Sequence, residues 1–134
     1  MAEPFKIERL KSRPQFLAAA KGVSEARGAV VVQRLDRADG EATVRLGFTA
    51  TRKVGGAVVR NRAKRRLREA ARALASELAR PGSDYVFIAR MGTADRPWDR
   101  LLDDVKSALT RLATPRPAPQ VAPQAPRSPA GQDS

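Results

Sequence analysis

Between Gly55-Gly56 and Pro81-Gly82 the chain holds one long segment whose two faces cannot share an environment. Val59, Ala63, Leu67, Ala70, Leu74 and Leu78 recur at spacings of three and four, which puts them on one stripe of a helix running from about Ala57 to Ala79. Asn61, Lys64, Arg65, Arg68 and Arg72 fall opposite that stripe, and Arg60, Arg62 and Arg66 flank it. The stripe demands a core. The other face packs six cations into the ten residues from Arg60 to Glu69, with Glu69 the sole acid. Solvated helices usually alternate sign to gain i,i+4 pairs. Cations crowded this way repel one another unless an anion lies among them. A helix entered from a glycine turn also presents free N–H groups and a partial positive charge. The segment is therefore predicted to be a core helix and a polyanion-binding surface at once, with nucleic acid favoured over a merely solvated face.

The rest of the sequence supplies what such a helix packs on. Ser12-Arg13-Pro14-Gln15 reads as a capping box with an early helical proline, opening a short helix through Phe16 to Ala20 that stops at Gly22. Ala29 to Leu35 and Ala42 to Thr51 are β-branched runs flanking the turn-rich Asp36-Arg37-Ala38-Asp39-Gly40, so they are expected to form a hairpin. In the second run Val44, Leu46, Phe48 and Ala50 share one face and Arg45, Gly47, Thr49 and Thr51 the other. Asp84 to Arg90 is a further strand. The order strand, basic helix, strand implies a crossover between parallel neighbours. Pro97 opens a last helix with an apolar stripe of Trp98, Leu101, Leu102, Val105, Leu109 and Leu112. From Thr114 onward six of the ten prolines sit among Ala, Gln, Ser and Gly, so residues 1–113 are expected to form the domain and 114–134 a disordered tail.

Charge and missing residue types narrow the function. Ten Lys/Arg against one Glu between Val44 and Arg72 give +9 of the chain's net +12, so one patch carries most of the field. Without cysteine or histidine the chain has no Ser-His or Cys-His nucleophile, no zinc finger and not the commonest general base. Gly55-Gly56 lacks the remainder of a phosphate-loop pattern, which disfavours a nucleotide-binding enzyme. Asp99 and Asp103 lie four apart on the last helix, where first-turn acids complement the helix dipole more often than they hold a metal. Met1-Ala2-Glu3-Pro4-Phe5-Lys6 is not followed by an apolar h-region and no run approaches a membrane span, so the expectation is a soluble, cytoplasmic protein.

Thr51-Arg52-Lys53-Val54-Gly55-Gly56-Ala57-Val58-Val59-Arg60-Asn61-Arg62-Ala63-Lys64-Arg65-Arg66-Leu67-Arg68-Glu69 closely resembles the signature of the bacterial ribonuclease P protein component. Arg9-Leu10-Lys11 followed by Phe16, Arg45-Leu46-Gly47-Phe48 and Asp84-Tyr85-Val86-Phe87-Ile88-Ala89-Arg90 extend the likeness over residues 8 to 112. The resemblance implies an α+β fold, a two-layer α/β sandwich of order α-β-β-β-α-β-α whose basic helix lies in a left-handed crossover, against the usual hand. It implies an accessory subunit of an endoribonuclease, in which the RNA subunit and its Mg²⁺ free the tRNA 5′ end. The partners it implies are that catalytic RNA and precursor tRNA, with no membrane and no DNA. No catalytic residue and no protein-held metal follow from it.

Carried over by position, Arg52, Lys53, Arg60, Asn61, Arg62, Lys64, Arg65 and Arg68 match the motif positions that face RNA. Asn61 also reads as a helix-start residue bonded to backbone. Phe16 matches the aromatic of the first helix, which with the sheet lines a cleft for the single-stranded 5′ leader, a role suited to stacking on a base. Phe16 is equally readable as a core residue. Ala20, Ala29 and Val32 stand where some relatives carry other residues, aromatics among them, so Val30, Val32, Arg45 and Thr49 are the cleft residues offered, and the sequence leaves open which strand face lines it. The rival reading is a structural, ribosomal-type RNA-binding protein that takes no part in cleavage.

Overall fold

The computed structural model describes residues 6–113. The expected tail, 114–134, lies outside the described residues. Strand β1 (Ile7–Arg9) precedes α1 (Arg13–Ala19), followed by β2 (Val23–Arg27), β3 (Val30–Asp36) and β4 (Val44–Thr49). Then come α2 (Ala57–Leu78), β5 (Ser83–Ala89) and α3 (Trp98–Ala113). The α+β order is thus the expected one with a short strand added in front. That strand holds only Ile7, Glu8 and Arg9, too few to show a period. At α1 the cap forms through Gln15, whose Oε1 accepts the backbone N–H groups of Lys11 at 3.0 Å and Ser12 at 3.2 Å.

The five strands lie in the order β1-β4-β5-β3-β2. β4 and β5 are parallel, as the α2 crossover requires, with Arg45 opposite Asp84, Gly47 opposite Val86 and Thr49 opposite Ile88. The expected hairpin between β3 and β4 does not form. β5 stands between them, antiparallel to β3 from Val30–Ala89 to Asp36–Ser83. Tyr85, Val86, Phe87 and Ala89 are buried, and a strand shielded on both faces belongs in the middle of a sheet. The true hairpin is β2–β3, which turns at Gly28 with φ +49°.

Alternation divides the core between the two faces of the sheet. Val30, Val32, Val44, Leu46, Tyr85 and Phe87 point to the face covered by α2 and α3, where Leu67, Leu101, Val105 and Leu109 are fully buried. Phe48 and Phe87 stack there with centroids 5.2 Å apart. α2 approaches through Ala63, Ala70, Ala71 and Ala75, so its buried stripe is rotated from the expected one: Val59 is exposed, and Leu74 and Leu78 are half-buried. Small residues let the helix sit close. On the opposite face α1 closes a smaller cluster in which Leu10, Ala19 and Val86 are buried against Phe16, Leu35 and Ile88.

Candidate nucleic-acid interface

The approach to α2 is built to leave charge outside. Thr51 is extended, Arg52–Val54 make a single 3₁₀ turn, and buried Val54 pins that turn to the core while Arg52 and Lys53 stay exposed. Gly55 takes φ +144°, a conformation that L side chains rarely adopt, and its missing Cβ leaves room for Val59. Gly56 then caps α2 without a side chain, and the first turn holds no acid. The helix-start N–H groups therefore meet no side-chain acceptor of their own.

Along the outer face of α2, Asn61, Arg62, Arg65 and Arg72 are exposed and Arg60, Lys64 and Arg68 half-buried. The ion pairs of the described residues involve Arg27, Arg37, Arg45, Arg96 and Arg111, none of them on this helix. Among the described residues Asn61 makes no side-chain hydrogen bond, and the position that caps α2 is Gly56. Arg66 is the exception among the cations. It donates to the Thr93 carbonyl at 2.7 Å and to the Arg96 carbonyl, with its guanidinium 5.8 Å over the Trp98 ring. Arg66 therefore ties α2 to the start of α3.

The second feature is a hollow of about 390 Å³ between α1 and the sheet. Arg13, Phe16 and Leu17 form one wall, and Gln33, Thr49 and Ile88 the floor. Phe16 lies on Gly47, where an added Cβ would stand 2.7 Å from its ring. The ring is half-buried, so it belongs to the small cluster and to the wall of the hollow together.

The match of a family model settles what the chain is. Ribonuclease P, as a protein family, matches residues 5–113. The chain belongs to the ribonuclease P protein family. The Ribonuclease P protein component of Caulobacter vibrioides is 64% identical over 108 residues, covering 81% of this chain and 72% of that protein. That of Ruegeria pomeroyi is 51% identical over 113 residues, covering 83% and 90%. Among solved structures, the RNase P protein of Staphylococcus aureus superposes with TM-score 0.66 at 28% identity over 78% of this chain and 94% of that one. The protein of Thermotoga maritima gives 0.66 at 29%, over 77% and 96%.

Within this family fold, two groups of predicted cleft residues lie elsewhere. Val30 and Val32 are 0% exposed and sit in the main core on the far face of the sheet. The alternate phase of β3, Val31 and Gln33, faces α1. Arg45 shares the face of the hollow but lies beyond Gly47, at the other end of the ground that Phe16 covers. There its Nε donates to Asp84 at 2.9 Å, and Arg37 donates to the same carboxylate oxygen at 2.7 Å. Arg37 also reaches the Thr43 carbonyl at 2.6 Å, pinning the β3–β4 connection. Burial lowers the Arg37 guanidinium, but its bonds to Asp39 and Asp84 outweigh that and hold it above its ordinary value. Arg13, Leu17, Gln33 and Ile88 were not foreseen. Gln33 was the available signal, although Arg34 beside it is polar too and turns to the other face, where it reaches the Leu112 carbonyl.

The acids of the domain are committed or dispersed. Asp84 lies between two arginines, and buried Asp104 accepts from the Ala29 N–H at 3.0 Å and from Arg96. Asp99 and Asp103 are exposed on α3. Among the described residues no group of three or more His, Cys, Asp or Glu comes together to hold a metal. No helix of those residues is long and apolar enough to cross a membrane.

Proposed function

We propose that this protein is the protein subunit of a ribonuclease P ribonucleoprotein and assists removal of the 5′ leader from precursor tRNA. The reading rests on the row of unpaired cations on α2, opened by a glycine cap, in a chain of this family. Arg52, Lys53, Arg60, Arg62, Lys64, Arg65 and Arg68 hold phosphates of the catalytic RNA, and Asn61 offers an amide beside them. The hollow at Phe16, Thr49 and Gln33 holds unpaired leader nucleotides, with Arg13 beside them for the backbone. Phosphodiester hydrolysis belongs to the RNA subunit, and Mg²⁺ is held by RNA and substrate. The protein supplies positive charge and position, working in the cytoplasm on RNA, with neither DNA nor membrane as partner.

A purely structural rRNA-binding role is disfavoured, because the family match spans the domain from residue 5 to 113. Reconstitution tests the proposal. Purified, RNA-free protein with Mg²⁺ is expected to leave precursor tRNA intact, and a ribonuclease P RNA at limiting Mg²⁺ is expected to cleave it at the mature 5′ end faster once the protein is added. Specific cleavage by protein alone, or no effect on the RNA's reaction, would overturn it.

A further inference from the structure

The face of the sheet that carries α2 has a second hollow, of about 580 Å³, which shares only Phe48 with the one under α1. Ile7, Leu46 and Phe48 give it an apolar floor, and Arg9 of edge strand β1 faces Arg68 and Arg72 of α2 across it. Glu8 also lines it. None of the three arginines pairs with a carboxylate among the described residues. The Arg68 guanidinium lies 5.8 Å from the Phe48 ring centroid, and its Nε is buried without a hydrogen-bond partner. A buried donor left unpaired is costly, and an acceptor brought into the hollow relieves that cost.

We propose that this hollow takes one unpaired nucleotide of a bound RNA, its base against Phe48 and its phosphate among Arg9, Arg68 and Arg72. The size suits a ligand of that class. An aromatic ring is a surface on which bases stack, and Phe48 is already held by its stack on Phe87. Glu8 adds an acceptor for a base N–H group. Arg65, Arg68 and Arg72 follow at spacings of three and four on α2, so one face leads from the motif into the hollow. An acidic peptide meets the arginines but leaves the stacking surface idle, so the nucleotide fits the whole lining better. The inference rests on the RNA-binding reading of α2.

The test is a titration of the full chain with 5′-AMP, adenosine and inorganic phosphate, read on the side-chain NMR signals of Arg9, Arg68, Arg72 and Phe48. AMP is expected to move all four, with a midpoint about tenfold below those of adenosine and phosphate, because stacking and phosphate contact add. Arg72→Ala is expected to weaken AMP severalfold with an unchanged circular dichroism spectrum. Phosphate binding as tightly as AMP makes this an anion site only and overturns the proposal. A polyglutamate peptide that moves these signals while AMP does not makes it a protein dock and overturns it as well. If AMP leaves them still while the protein stimulates cleavage in the reconstitution above, the hollow fails and the subunit reading stands.

Discussion

Arg65 and Arg66 are adjacent in sequence and identical in chemistry but point about 100° apart around α2, so alanine at each position separates RNA contact from architecture. Arg65 is exposed on α2 and has no ion pair among the described residues. Arg66 donates to the carbonyls of Thr93 and Arg96. If the seven unpaired cations from Arg52 to Arg68 each meet a phosphate, the logarithm of affinity should fall with that of salt at a slope of about −5 to −6, roughly a thousandfold or more between about 50 and 200 mM. Arg65→Ala removes one contact and should flatten the slope by about 0.7 to 0.9 while leaving the melting temperature near that of the parent. Arg66→Ala should leave the slope unchanged, because that guanidinium is turned away from the partner. It forfeits charged hydrogen bonds at a half-buried site and should cost about 1.5 to 3 kcal/mol, a drop of roughly 6 to 20 °C for a domain of this size. Filter binding across salt, with thermal melts of the same preparations, reads both quantities. An Arg66→Ala protein that melts like the parent but loses a unit of salt slope would refute the division.

Three further outcomes follow from the geometry. Phe16→Ala should weaken precursor tRNA only when a leader of several nucleotides is present, by about 1 to 3 kcal/mol where a base stacks, and equal loss with long and short leaders in the reconstituted holoenzyme would make the ring purely core. Asp84→Ala leaves Arg37 and Arg45 without their shared carboxylate and should lower urea stability by about 3 to 5 kcal/mol, whereas no change would mean that the pair of bonds carries little. Burial pushes the Tyr85 phenol above its usual value despite the Arg80 N–H donated to its oxygen at 2.9 Å. The neutral phenol therefore favours the fold: that stability is complete below the unfolded phenol value, about 10, and is lost as pH rises through the higher folded value. Urea midpoints of the parent should fall faster above about pH 10 than those of Tyr85→Phe, and parallel curves would count against it.

Long periodic segments were legible because their pattern is local. α2 and β5 end within a residue or so of where periodicity, glycine and proline place them, and α3 opens beside Pro97. Pairing was less so. The Asp36 to Gly40 turn carries the same residues whether the next strand folds back beside β3 or travels further, and only the burial of β5 on both faces decides between them. Phase failed where chemistry was uniform: Val30, Val31 and Val32 are indistinguishable until Gln33 is taken as the outward position. Arg45 and Arg66 declared their charge but not their partners, which are Asp84 and the carbonyls of Thr93 and Arg96, far along the chain.

Because β5 occupies the centre of the sheet yet comes after α2, synthesis delivers the halves of the fold before the piece that joins them. When residues up to Leu78 have left the ribosome, β2–β3 and β1–β4 have no strand between them, and the floor on which α2 packs does not exist. During that interval the cationic segment is unburied beside ribosomal RNA, a polyanion to which its charge is suited. Pairing Val30 with Ala89 also closes a long loop, an entropy cost that comes before the contacts it brings. A polyanion that neutralises α2's cations should relieve their repulsion while the sheet is still incomplete, so the rate at which this chain acquires its fold is expected to depend on the RNA around it.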